Sequence, residues 1–232
     1  MSNPTTQNSS QGPSQSTYEF VDVEALRHDR PLDAVKTVTK SKPDLIVECD
    51  LLIVGGGTGG VAAALRALKP RQGSKSLKVC LTEETSWLGG QMTAQGVSAL
   101  DENYLVETSG AGRSYQTRRE TIRRFYREER SLTPEAQQHQ YLNPGNCWVT
   151  RLAFEPQVVV DILAAQMKPF IDNGQLALYP RHKAVYVRDR DPRDQRSGTN
   201  GGGGGSDNAG SEDVRNSVIE KVGIINLDTH SL

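Results

Sequence analysis

The 232-residue sequence is poor in cysteine, in aromatic side chains and in net charge, and it has no long apolar run. Its three cysteines, at 49, 80 and 147, show neither C-x-x-C nor metal-ligand spacing, so neither a disulfide framework nor a metal site follows. Cys80 reads as a buried strand residue, and Cys147 lies beside Trp148 in a Pro-Gly loop. The four histidines (28, 139, 182 and 230) form no cluster, and no Ser/His/Asp arrangement is present, so no catalytic residue is assigned. Twenty-seven basic residues against 28 acidic ones leave a net charge of −1, which argues against a nucleic-acid or membrane partner. No apolar stretch reaches the length of a bilayer-spanning helix. The first 17 residues have no basic n-region and no apolar h-region, so they are not a secretory signal, and a cytoplasmic location is expected. Their low hydrophobicity predicts disorder to about Ser16, within a mostly disordered extension over residues 1–44. Scattered apolar positions from Phe20 to Val38 suit a short helix or arm.

What the chain does have is glycine in a particular order. Leu51-Leu52-Ile53-Val54 is an apolar run cut off by Gly55, Gly57 and Gly60, the spacing G-x-G-x-x-G. Ala62, Ala63, Ala64, Leu65, Ala67 and Leu68 continue a helix with a small-residue face. Gly55 permits the tight turn, Gly57 lets backbone approach a pyrophosphate, and Gly60 lets the helix lie against its strand. The N–H groups of the first helical turn, Thr58 included, then face negative charge. A second strand, Leu77 to Thr82, ends at Glu83, where a carboxylate accepts from ribose hydroxyls and disfavours a 2′-phosphate. The unit is a complete β-α-β, and it points to a nucleotide cofactor. The plain alternative is turn punctuation alone.

A second glycine pair, Gly89-Gly90, followed by Gln91, comes directly after the acidic strand end. Here the sequence resembles the FAD-dependent oxidoreductases of the glutathione-reductase-like flavoproteins. The resemblance rests on Gly55 to Gly60, Glu83, Trp87-Leu88-Gly89-Gly90-Gln91 and Gln95 to Glu102, then on Asn143 to Val149 and Phe154-Glu155-Pro156. It covers about residues 45–188 and again 217–228. It implies FAD as cofactor, with Gly55, Gly57, Thr58 and Gly60 at the pyrophosphate and Glu83 at the adenosine ribose. Gly89, Gly90 and Gln91 would lie along the pyrophosphate and flavin side, and backbone at Ala184 or Val185 would meet the adenine.

The remaining sequence completes an α/β reading: a Rossmann-like parallel sheet with a helical insert over about 103–150 and a small antiparallel β arm. Arg113 to Arg130 holds seven arginines, with Tyr115, Ile122, Phe125 and Tyr126 on one face, and the charges are read as a solvated helix surface. Pro156 to Ile171 forms a further helix, with Pro169 tightening its last turn. Strands are expected at Leu176–Tyr179, Ala184–Val187 and Val218–Leu227. Residues 45–188 thus form the FAD-binding domain. Residues 189–216, with Gly201 to Ser206, form a flexible insertion, and 217–232 a returning strand. Flavoproteins of this kind continue into a substrate domain, so the sequence reads as the N-terminal part of such an enzyme.

Three functions are open on these grounds. The first is an FAD-dependent oxidoreductase in which hydride passes from an unspecified small-molecule substrate to flavin N5. The second is an NAD-binding dehydrogenase half, which leaves Gly89-Gly90 unexplained. The third is a non-catalytic nucleotide-binding or interaction module.

Overall fold

The computed structural model describes residues 15–40, 42–69, 73, 75–189 and 219–232. The N-terminal tail to residue 14 and the glycine tract within 190–218, both expected to be flexible, lie outside the described residues. The chain divides into two units, one of Met1–Ile46 with Ala184–Leu232 and one of Val47–Lys183.

The first unit opens on β1 (Ser16–Val21) and β2 (Val35–Lys40), an antiparallel pair joined through two short 3-10 turns at Val23–Ala25 and Pro31–Ala34. The segment expected as a short helix or arm is therefore a strand pair with two 3-10 turns in its connection. Alternation decides it: Phe20 and Val38 are buried, whereas Val21 and Val35 on the opposite face are exposed.

In the second unit β3 (Leu51–Val54) leads through the first glycines into α1 (Thr58–Leu68), and β4 (Val79–Glu83) follows. Next come α2 (Arg113–Glu129), the short α3 (Pro134–Gln138), α4 (Pro156–Asp172) and β5 (Leu176–Pro180). The sheet order is β3-β4-β5, all parallel, with Leu51 opposite Val79 and Val79 opposite Leu176. Side chains alternate across it. Ile53, Val79, Leu81, Leu176 and Leu178 face the core, which α1 fills with Val61, Ala64 and Leu68 and α4 with Val158, Val159, Leu163 and Met167. Each fully buried Val, Leu or Met among them contributes roughly 1.5–3 kcal/mol by leaving water. α4 starts at Pro156, whose missing N–H costs nothing in a first turn, and runs through Pro169 to Asp172.

The chain then forms β6 (His182–Asp189), which pairs with β7 (Ile219–Asn226) in a separate two-stranded sheet. From Ala184 onward these residues belong to the first unit, where Ile225, Leu227 and Val185 pack with Phe20, Val38, Tyr18 and Leu232. Among the described residues no helix is long and apolar enough to cross a membrane.

Candidate functional site

The fingerprint glycines occupy the β3–α1 turn, and each is held there for a separate reason. Gly55 has φ +93°, a left-handed conformation that a side chain resists. Gly60 lies against it, and a Cβ on Gly60 would fall far inside contact with the Gly55 carbonyl oxygen. Gly57 is the N-cap of α1, and a Cβ there would stand in open space within 4 Å, which is room for a ligand to approach backbone. No side chain caps α1, and the first amide of the helix to bond within it is that of Val61, to Gly57 O at 2.9 Å. The amides ahead of it form the uncapped positive end of an 11-residue helix.

Side chains of β4 set the shape of the turn. Thr82 Oγ1 accepts the Gly55 N–H at 3.3 Å, and Glu83 Oε2 accepts the Gly56 N–H at 2.8 Å. Glu83 Oε1 accepts both the N–H and the hydroxyl of Thr85, each at 2.9 Å. The sequence assigned Glu83 to a ribose; the structure adds a scaffolding duty in which the carboxylate ties the first turn to the second strand. Oε2 keeps acceptor capacity beyond its single described donor.

The second glycine pair meets the first. Gly89 donates its N–H to Gly56 O at 2.8 Å, and Gly89 O accepts the Thr58 hydroxyl at 3.1 Å. Gly89 and Gly90 have φ +110° and +55°, and a Cβ on Gly90 would lie 3.1 Å from Gly57 Cα. Thr93, fully buried, fastens the turn by donating to Leu88 O at 2.5 Å. Gln91 is exposed on the 3-10 turn Gly90–Met92. Two segments about thirty residues apart thus form one backbone cradle at the end of α1. Gly90→Ala is expected to cost about 1–2 kcal/mol, the penalty of a left-handed alanine, read as a lower urea midpoint.

Ala184, the residue expected beside an adenine, is half-buried on β6 in the other unit. The parallel strand that follows α4 is instead β5, which ends at Pro180. Arg181 next to it has φ +58°, and it donates its N–H to Thr85 O and an Nη1 hydrogen to Glu84 O at 3.2 Å. Lys183 Nζ donates to Glu84 Oε2 at 2.6 Å. Glu84 is thus braced by Arg181 in the β5–β6 turn and by Lys183 on β6.

The strings that carried the resemblance farther along the chain also meet. Ala99 bridges Ala153, Phe154 donates its N–H to Ser98 O at 3.1 Å, and Thr150 Oγ1 donates to Glu102 Oε2 at 2.9 Å. Asn143 shapes the loop between them. Its amide reaches Cys147 O at 3.1 Å and Thr150 O at 3.0 Å, while its Oδ1 accepts the Ala153 N–H at 2.7 Å. At the tip, Trp148 is 94% exposed.

The insert corrects one sequence expectation. Arg119 and Arg123 are not on a solvated face: both are buried. Arg119 bridges Glu102 and Glu107, and Arg123 grips Glu107 and donates through Nε to Leu142 O at 3.0 Å. Tyr115 donates to Glu102 Oε1 at 2.7 Å. Burial acts to raise the Glu107 carboxyl, but hydrogen bonds from Arg123 and Arg119 outweigh it and hold the group below the usual carboxylate range. The Tyr115 phenol is pushed up by burial and by Glu102. Two recesses of about 240 Å³ flank this cluster, one beside Asp101, Asn103 and Tyr115, the other beside Gln116, Glu120 and Tyr141. Neither is lined by the glycine segments. Among the described residues no three His, Cys, Asp or Glu side chains gather as metal ligands.

The family model described as FAD dependent oxidoreductase matches residues 50–199. A solved structure similar to this chain is the crystal structure of L-proline dehydrogenase from P. horikoshii, at 20% identity and a TM-score of 0.30. The match covers 62% of this chain and 17% of that one. No curated protein matches. The family's cofactor fits the cradle, whose open Gly57, uncapped helix end and paired glycine turns leave backbone donors at one place. The chain belongs to the FAD dependent oxidoreductase family.

Proposed function

We propose that this chain holds FAD at the β3–α1 cradle and contributes to an oxidoreductase that takes hydride from a small-molecule substrate. The observation that carries the reading is the seating of Gly90 against Gly57. A dinucleotide fold that binds NAD needs only the first glycine turn, and the second turn packed onto it extends the same backbone surface. When bound, FAD supplies a hydride acceptor at its isoalloxazine N5. The protein's part is to orient and hold. The first-turn amides of α1, with Gly57 and Thr58, would face the pyrophosphate, with Gly89, Gly90 and Gln91 on its flavin side. Glu83 would accept a ribose hydroxyl while keeping its grip on Gly56. Ala184 is kept as the adenine neighbour on the family resemblance alone.

The test is the visible spectrum of the purified chain, before and after incubation with FAD, with chromatography of what heat releases. A two-banded flavin spectrum and released FAD are expected. Glu83→Ala removes both a ribose acceptor and the tie to Gly56, and a charge-assisted hydrogen bond is worth about 1.5–3 kcal/mol. FAD affinity should therefore fall about ten- to hundredfold, with Glu83→Gln milder. A chain that stays colourless at saturating FAD sinks the cofactor assignment and leaves the interaction-module reading.

A further inference from the structure

We propose that Arg118, on α2, is an anion receptor whose guanidinium takes the carboxylate or phosphate group of a small molecule. The observation that carries it is an orphaned cation. Among the described residues only two buried side-chain polar atoms have no hydrogen-bond partner, Arg118 Nη1 and Arg119 Nε. At Arg119 the charge is nonetheless met, since its two Nη groups are held by Glu102 and Glu107. The other arginines from 113 to 130 are accounted for as well. Arg123 shares Glu107, Arg124 faces Glu128, Arg127 meets Glu120, Arg130 meets Glu155, and Arg113 is exposed to water. Arg118 alone of the seven is half-buried with no carboxylate beside it. Burial lowers its guanidinium from the ordinary value and nothing restores it, whereas at Arg119 the glutamates outweigh burial. A desolvated charge left unpaired is costly, and an anion from outside the chain removes that cost.

The helix explains how the cation comes to be there. Arg118, Ile122 and Phe125 follow one another at spacings of four and three, so they share one row; Ile122 is buried and Phe125 packs against the core. An arginine on such a row lays its aliphatic stem along apolar neighbours and keeps its head for a partner. Gln116 and Glu120, which line one of the recesses beside the glutamates, project from the opposite side of α2, so that recess is not the receptor. With Nη1 closed off, the edge formed by Nε and Nη2 is the one that offers two parallel N–H donors, the fork that fits two oxygens of a carboxylate or phosphate. That the anionic molecule is the one oxidised rests on the function proposed above; anion binding by Arg118 does not.

The experiment is thermal denaturation of the full chain, without FAD, in sodium acetate, sodium phosphate and sodium chloride series of equal ionic strength. The expected result is a Tm that rises saturably above the chloride series in acetate or in phosphate, the effective salt naming the group, because a ligand of the folded state stabilises by mass action. Arg118→Met keeps the apolar stem and removes the charge. It should lose that rise and melt higher than wild type in chloride. Arg118→Lys keeps the charge without the fork, and its half-saturating concentration should be about tenfold higher. Arg124→Met, at an exposed pair, should respond as wild type does. A wild-type Tm that is the same in all three series overturns the proposal. So does a rise that survives Arg118→Met, which would belong to the open end of α1 instead. Should Arg118→Met fail to fold, Arg118→Lys decides by the same comparison. FAD takes no part in the assay, so failure of the chain to bind it would leave this result standing.

Discussion

Gly60→Ala is expected to be the most damaging single methyl that can be added to this chain. The new Cβ would fall on the Gly55 carbonyl oxygen, which is backbone and has no rotamer to escape into. Either α1 lifts from β3 or the turn opens, and both loosen the packing of Val61, Ala64 and Leu68 on Ile53, Val79 and Leu81. Overpacking of this kind costs about 3 kcal/mol, and in this position it also moves the helix end away from the cradle. Urea denaturation of the variant should show a markedly lower midpoint, and a chain that retains FAD in the wild type should lose it. Gly59→Ala is the control, since a Cβ at Gly59 meets nothing within 4 Å. One residue away and inside the helix, it should instead stabilise by up to about 1 kcal/mol. Equal midpoints for the two variants would contradict the close approach of Gly60 to Gly55.

The second large effect lies in the insert. Arg119→Ala leaves Glu102 and Glu107 buried with a partner removed, at side-chain exposures of 3% and 9%. Removing one member of a buried ion network costs about 3–5 kcal/mol, here because Glu102 is left with the hydroxyls of Tyr115 and Thr150 but no counterion, and Glu107 with Arg123 alone. Arg124 is the comparison: it is 62% exposed and 4.0 Å from Glu128, so Arg124→Ala should change stability by less than about 0.5 kcal/mol. The pH dependence follows from Glu107. Its folded carboxyl is held below its ordinary value, so the stability it contributes is present above the ordinary carboxylate range and is lost as pH falls through the folded value. Wild type should therefore lose stability as pH falls from neutral through and below the ordinary carboxylate range, and Arg119→Ala should lose less over the same interval. Chemical denaturation midpoints along that series test the sign, and parallel curves would refute the coupling.

The parts of the fold that could be read from sequence are those where one residue type has one physical reason. Gly55, Gly57 and Gly60 fall where a turn, a helix end and a close contact require them, and Glu83 falls at the end of its strand. Pro156 marks the first turn of α4, and the apolar spacing behind it gives the buried side. What could not be read depends on distant partners. Nothing in the spacing of Arg119 and Arg123 distinguishes them from Arg124. Glu102 and Glu107, which make the difference, lie on loop residues with no periodicity. Arg181 takes a positive φ that a sequence reserves for glycine, so the spacing between the strands expected at Leu176–Tyr179 and Ala184–Val187 does not show that β5 turns into β6 within a single residue. Residues 16–40 alternate too briefly, between 3-10 turns, for a hairpin to stand out.

The strand order β3-β4-β5 also sets a timetable. β4 finds its first neighbour, β3, within the same β-α-β unit, but its second, β5, arrives only after α2, α3 and α4 have been made. Joining Val79 to Leu176 closes a loop of about a hundred residues, and such closures slow folding far more than they weaken the finished sheet. Until then Val79 and Leu81 have one flank open. The cradle's two anchors, Thr82 and Glu83, are therefore on a strand that gains its second neighbour only once β5 has been made, long after the glycines they hold.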